Sequence, residues 1–431
     1  MGVNTFIGEG KNMYKLIEEL YPICRSITGD GLRKTLAILQ QYVPLTIQEV
    51  PTGTEVFDWT IPKEWNIRDA WVKDKHGEKI IDFRNHNLHV LNYSAPVHQK
   101  VSLDELKEHL YTLPEQPDLI PYRTSYYQEK WAFCTTHRQK IALADEEYEV
   151  FIDSALEDGH LTYGELFIPG SSQEEVLISC HICHPSLCND NLSGIATAIF
   201  LAQHLQEQNS YYGYRFVFVP VTIGAIAWLA RNEAKVSRIK YGLVISNLGD
   251  AGGFTYKKTR KTPSAINDVV LHALKRSGIP YTISDFVPYG YDERQYASPG
   301  FNLAVGSLMR SPNGGYPEYH TSADNLSFVR PGYLEESLLL LQEITFMLDH
   351  NHVYLNQHMK GEPQLGRRGL YDRMSGDADV QRKQMAVLWI LNYSDGQHSL
   401  LDIAEKAGMP FSLVKDTADI LLKIDLLKLV E

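Results

Sequence analysis

The residues best suited to chemistry in this chain lie between Ser179 and Gly194, in the stretch Ser-Cys-His-Ile-Cys-His-Pro-Ser-Leu-Cys-Asn-Asp-Asn-Leu-Ser-Gly. His181, His184 and Asp190 place two imidazoles and a carboxylate in one short segment. A hydrolytic zinc site takes about three protein ligands from His, Asp, Glu or Cys and leaves a position open for water. A second cluster, Tyr316-Pro-Glu-Tyr-His-Thr-Ser-Ala-Asp-Asn325, adds His320 as the natural distal ligand. Asp250 and the run Asp292-Glu-Arg-Gln295 add carboxylates, and the guanidiniums of Arg294 and Arg310 can clamp a substrate carboxylate bidentately.

Each of these residues has a plainer use. A lone loop histidine is usually just a polar side chain, and Asp190, like Asn189, Asn191 or Ser193, suits the N-cap of a following helix. Asp250, beside Gly249 and before Gly252-Gly253, suits a turn. Arginines serve structural salt bridges more often than substrate clamps. Cys180, Cys183 and Cys188 are the thiolate candidates, but thiolate-rich zinc sites tend to be closed, so packing at a strand end suits them better. Convergence favours the metal reading, because His or carboxylate groups recur after successive apolar runs.

Those runs are the elements that must position the site. Glu175-Val-Leu-Ile178 reads as a buried strand and Ile195–Leu205 as a helix, so the focal residues sit on a strand-to-helix loop. From about 175 to 350 strands and helices alternate: Tyr214–Pro220, Ile226–Asn232, Tyr241–Ser246, Ala265–Ser277, Asn302–Gly306 and Leu334–Asp349. The alternation predicts an α/β core, a sheet with helices on both faces, and its ligands belong at the carboxyl ends of the strands. Before it, two helices between Asn12 and Tyr42 belong to the core as residues 1–45, and short alternating runs divided by Gly53, Pro62 and Gly77 predict a small all-β inserted domain over 46–125. The core follows over 126–360. Three helices between Gln381 and Glu431, with the turn Lys406-Ala-Gly-Met-Pro410, predict a winged helix-turn-helix over 375–431.

Composition narrows the partners. A chain of 431 residues, 44% hydrophobic and 22% charged, suits a multidomain globular protein, and a net charge of −12 argues against a nucleic-acid surface. In the C-terminal segment Arg382, Lys383, Lys406, Lys415, Lys423 and Lys428 are offset by seven acidic residues, which favours docking or a homo-oligomer contact over DNA. Five cysteines do not pair into a disulfide framework, there is no leader-like N-terminus and no long apolar run, so a cytoplasmic protein without a membrane partner is expected.

The segment Asn189-Asp-Asn-Leu-Ser-Gly194 resembles the Asp-Asn-x-Ser-Gly loop of the zinc aminopeptidase superfamily, which includes bacterial leucyl aminopeptidases and glutaminyl cyclases. Tyr319-His-Thr-Ser-Ala-Asp324 resembles its terminal metal-histidine motif. The whole layout is most similar to a bacterial aminopeptidase-like branch with a small β insert and a C-terminal winged helix. The resemblance implies a zinc exopeptidase-like fold, Asp190 as the metal-bridging aspartate, His320 as a metal ligand, His181 or His184 as the first-strand histidine, and Asp292 as the aspartate after the fourth strand. Two departures stand out. The family's His-x-Asp reads His181-Ile-Cys183 followed by His184, and its Glu-Glu pair falls on Phe218-Val-Pro-Val-Thr-Ile-Gly224, which has no carboxylate. The expectation is therefore one zinc, with two as the alternative, held by His184 or His181 with Asp190 and His320, with water in the open position. Glu293, Asp292 and Glu318 are candidate bases, and Asp250, Arg294 and Arg310 candidate substrate contacts. The implied activity is hydrolysis of an amide or small peptide next to a free amine. The alternative is a silent or non-hydrolytic metal-binding protein that acts in binding or assembly.

Overall fold

A computed structural model describes residues 8–370 and 378–430. The chain divides into two compact units, Met1–Ser264 with Ile279–Leu339, and Ala265–Gly278 with Leu340–Glu431.

The first unit is built on an eight-stranded mixed sheet. Numbered in chain order, its strands are β1 (Thr46–Pro51), β2 (His160–Ile168), β3 (Glu175–His181), β4 (Gly213–Val219), β5 (Ile239–Ile245), β6 (Phe254–Lys257), β7 (Tyr281–Ser284) and β8 (Val305–Met309). Their spatial order is β1-β2-β4-β3-β5-β8-β6-β7. The central four, β4, β3, β5 and β8, run parallel. β1 and β2 add antiparallel strands at one edge, and β6 joins β8 antiparallel at the other.

Every residue of β3 and β4 is buried, so both faces of the sheet's centre are covered. The helix Gly194–Gln206 after β3 is buried around most of its circumference, as its apolar sequence demands. From β3 the chain passes to β4 on one side and then to β5 on the other. The carboxyl end of β3 therefore lies where the strand order reverses, the usual ligand crevice of an open α/β sheet.

A separate antiparallel sheet of four strands follows the order Lys79–Asp82, Glu64–Lys73, Glu147–Glu157, Val97–Ser102. This corrects the 46–125 boundary at both ends. Thr46–Pro51 pairs with β2 in the main sheet, and Glu147–Glu157 pairs with both Glu64–Lys73 and Val97–Ser102 in the small one. Alternation identified each strand, but a half-buried strand looks the same whichever sheet it joins.

In the second unit the helices Ala378–Tyr393, Leu400–Ala407 and Phe411–Lys423 accompany a three-stranded sheet in which Val353–Asn356 lies between Asp395–Ser399 and Leu427–Leu429. Ser399 caps the second helix through a reciprocal pair with Asp402, and Gly408 ends it at φ +64°, a left-handed turn that suits glycine. This is the winged helix-turn-helix expected from the sequence, but its sheet begins at Val353, well before 375. The helix Ala265–Ser277, expected in the α/β core, also belongs to this unit. No helix among the described residues is long and apolar enough to cross a membrane.

Candidate metal centre

His181 is the last residue of β3 and is fully buried. Its Nε2 lies 2.8 Å from Oδ1 of Asp190, and Nε2 of His320 lies 2.9 Å from Oδ2 of the same carboxylate. The His184 ring stands 4.9 Å from that of His181 and 5.2 Å from that of His320. Ligand atoms of His181, His184 and Asp190 all fall within 4.8 Å of one another, and among the described residues this is the only such group of three or more metal-ligating side chains. The geometry does not choose between His181 and His184, because both lie beside Asp190. His320 has a left-handed backbone, φ +55°, a conformation costing about 1–3 kcal/mol that tends to cluster at functional sites.

Burial alone would raise the Asp190 carboxyl, but His184, His181 and His320 outweigh it and hold it well below the usual carboxylate range. Burial drives His184 well below the ordinary imidazole value, with Asp190 opposing the shift and the neighbouring histidines adding to it. A carboxylate with three imidazoles around it is a donor set that zinc accepts. These residues fit the metal.

The Asn-Asp-Asn-Leu-Ser-Gly motif braces this arrangement. Asp324 accepts the backbone N–H groups of Asn189 at 2.6 Å and Asp190 at 3.0 Å, while burial raises its own carboxyl to about 8. Asn191 donates from Nδ2 to the carbonyls of His181 and Ile245 and accepts N–H groups of Gly194 and Asn247 on Oδ1. Ser193 Oγ donates to the Asn189 carbonyl and accepts the Leu248 N–H, tying the loop to the end of β5. A Cβ at Gly194 would meet Asn191 Oδ1 at 2.3 Å. Gly194→Ala is therefore expected to cost about 1–3 kcal/mol in urea unfolding and to weaken zinc binding as Asn191 is displaced.

Sequence reasoning missed the aromatic and cationic surroundings. The Tyr291 hydroxyl donates to Asp190 Oδ1 at 2.8 Å and lies 3.1 Å from the Tyr319 hydroxyl. The Tyr319 ring stacks on His320 at 3.9 Å, and Tyr122 packs edge-on against both His184 and His320. The buried Arg25 donates from Nε to the His184 carbonyl at 2.9 Å. Tyr319 was legible beside His320, but no local spacing links Arg25 or Tyr122 to the loop.

Several expected roles need correction. Asp250 is occupied as a turn clasp: it accepts from Asn189 Nδ2, Gly252 N and both the N–H and Oγ of Ser311. Arg310 is 1% exposed, with its guanidinium committed to the Gly252 carbonyl, Ser337 Oγ and Glu336 and stacked near Phe254 and Tyr333, so it has no face for substrate. Glu293 forms a buried ion pair with Lys257 and accepts the Tyr291 N–H, which gives it a structural task in place of base chemistry. Asp292 is fully buried, and neither carboxyl oxygen has a hydrogen-bond partner. Burial, reinforced by Glu293, pushes its carboxyl well above the usual range. Arg294 is half-buried beside it, near enough that its charge opposes that shift. Glu318 is half-buried, two residues before His320. The stretch 218–224 brings no carboxylate to the site, and the Val221 N–H approaches Cys183 Sγ at 3.4 Å there.

Comparison with known proteins is consistent with this geometry. Residues 14–351 match the family DUF4910, described as a domain of unknown function, and residues 352–429 match a winged helix-turn-helix family. A protein of Clostridium acetobutylicum, named as a candidate polysaccharide biosynthesis protein with an aminopeptidase-like domain, is 52% identical over 98% of this chain and 97% of its own. A crystal structure from Clostridium acetobutylicum, named as a candidate peptidase, superposes with a TM-score of 0.93 at 51% identity, covering 98% of this chain and 96% of that one. The zinc aminopeptidase of Bacillus subtilis shares the fold, with a TM-score of 0.58 at 12% identity over 79% of this chain and 94% of its own. The chain therefore belongs to the DUF4910 family, with an aminopeptidase-like α/β fold joined to a C-terminal winged helix.

Proposed function

We propose that this protein is a zinc-dependent, aminopeptidase-like hydrolase that cleaves an amide or small peptide bond next to a free amine, using one metal ion. The observation that carries the reading is the Asp190 carboxylate, shared between His181 and His320 with His184 beside it, at the carboxyl end of β3. His181 or His184, with Asp190 and His320, would hold the zinc. When bound, zinc supplies Lewis-acid polarisation of the scissile carbonyl and an acidified water.

The protein's own groups do the rest. Tyr291 fixes Asp190 Oδ1 by donating to it. Burial raises the Tyr319 hydroxyl, so it stays a neutral donor able to meet charge developing on the carbonyl oxygen. Of the carboxylates considered as base, Glu293 is paired with Lys257 and Asp292 is fully buried without a hydrogen-bond partner, which leaves Glu318 as the proton acceptor. The five free cysteines support a reducing, cytoplasmic setting, and the balanced charge of the winged helix supports homo-oligomer contact over nucleic acid or membrane binding.

A second reading has its own support. The absence of a carboxylate in 218–224, where the resemblance places the Glu-Glu pair, favours a metal-binding protein without turnover, and the name of the Clostridium acetobutylicum relative adds amides carried on a sugar to the substrates worth testing. A screen of aminoacyl, dipeptide and N-acyl-aminosugar amides with zinc-loaded protein decides between the two. Turnover that chelation removes and zinc restores is expected, and metal uptake without turnover on any of them would leave the second reading standing.

A further inference from the structure

Among the residues converging on Asp190, His320 is the most exposed. Its side chain is 28% accessible, against 0% for His181 and Asp190 and 6% for His184 as a whole residue. It also lines a cleft of about 370 Å³ shared with Leu113, Glu115, Arg123, Tyr316 and Tyr319. Access to the candidate centre is therefore from this side.

Arg123 is fixed beside His320 by the backbone. The Tyr122 N–H donates to the His320 carbonyl at 2.7 Å, Pro121 bridges to Thr321, and Ser322 N–H donates to the Ile120 carbonyl at 2.9 Å. The Arg123 carbonyl in turn accepts the Asn92 N–H at 2.9 Å. The segment 120–123 thus runs alongside the segment that carries the metal-ligand histidine. Its guanidinium is exposed and donates only to the neighbouring Tyr122 carbonyl at 3.2 Å, with no carboxylate at ion-pair distance among the described residues. Arg310 and Arg215, by contrast, are buried in ion pairs.

Resting on the hydrolase reading above, we propose that Arg123 is a specificity-determining residue that receives the free carboxylate of a small, zwitterionic amide of about dipeptide size. An unpaired guanidinium offers the planar fork that a carboxylate fits. Glu115, exposed on the same lining, disfavours a polyanion and offers a partner for the substrate ammonium. The cleft volume limits the occupant, since it is near the lower end of the range for small-ligand sites.

The test uses full-length, zinc-loaded protein with Leu-Gly and its C-terminal amide as probes, followed by kinetics and by calorimetric binding. Loss of one charge-assisted contact predicts that the preference for the free acid over the amide, about ten- to a hundredfold in kcat/KM or in affinity, collapses in Arg123→Gln through KM and is partly kept in Arg123→Lys. Glu115→Gln is expected to weaken Leu-Gly more than N-acetyl-Leu-Gly. Equal handling of acid and amide by the native protein, or a preference that survives Arg123→Gln, overturns the assignment while leaving the hydrolase reading intact. Arg123-dependent binding of Leu-Gly without turnover supports the assignment and removes the hydrolase.

Discussion

Asp190→Ala is expected to abolish zinc binding and any turnover, and to lower the stability of the metal-free protein by about 3–5 kcal/mol, the cost of removing one member of a buried charged group. His181, His320 and Tyr291 all hydrogen-bond to this carboxylate, and each would lose that partner, the buried His181 and Tyr291 with little access to water in its place. Groups one step removed from a metal typically change affinity about 10- to 100-fold, so loss of a direct ligand should exceed that range. Asp190→Asn is the control. It keeps the volume, and so should unfold closer to the native midpoint in urea while still failing to hold zinc in a chelator competition. Zinc affinity retained in Asp190→Asn would reduce the residue to a brace of its loop.

Glu293→Gln is expected to lower stability by a similar amount, about 3–5 kcal/mol, because Lys257 would be left buried without its counter-charge. The Lys257 ammonium is held by Glu293 and by the carbonyls of Val287 and Tyr289, and the pair is nearly inaccessible, with side-chain exposures of 7% and 1%. Turnover per folded molecule should survive, since the carboxylate faces Lys257 and the Tyr291 N–H. Urea unfolding and a rate normalised to the folded fraction separate the two effects. A stable variant that has lost its activity would return Glu293 to the role of base.

The contrast between these two carboxylates shows what the sequence could carry. Asp190 was legible because it lies in a compact motif on a strand-to-helix loop, and local geometry alone sets it beside His181 and His184. His320 was legible from its own motif and from its place past a strand of the same sheet. Glu293 and Asp292 stand side by side in the chain, yet one is paired with Lys257 and the other is buried with no hydrogen-bond partner for its carboxyl oxygens. That difference comes from what packs against the loop, and spacing does not encode it. The partners of Arg310 and Asp250, Glu336 and Ser311, come from other elements, which is why spacing could not decide between their structural and substrate-binding uses.

At the level of fold, the alternation of strand and helix correctly announced the α/β core, because hydrophobic period is a local property. The boundaries of the small sheet were not legible, because Glu147–Glu157 pairs with strands more than forty residues earlier in the chain. Tyr122, Arg123 and Arg25 approach the site through long-range contacts as well. Pairing across such distances depends on the completed sheet, and no local pattern announces it.

The central claim is tested most directly by elemental analysis of the purified protein and of His320→Ala, each dialysed against a trace of zinc. A single zinc per chain is expected in the native protein and its loss in the variant, while circular dichroism remains native in both. No zinc in the native protein, or the same content in His320→Ala, would contradict it.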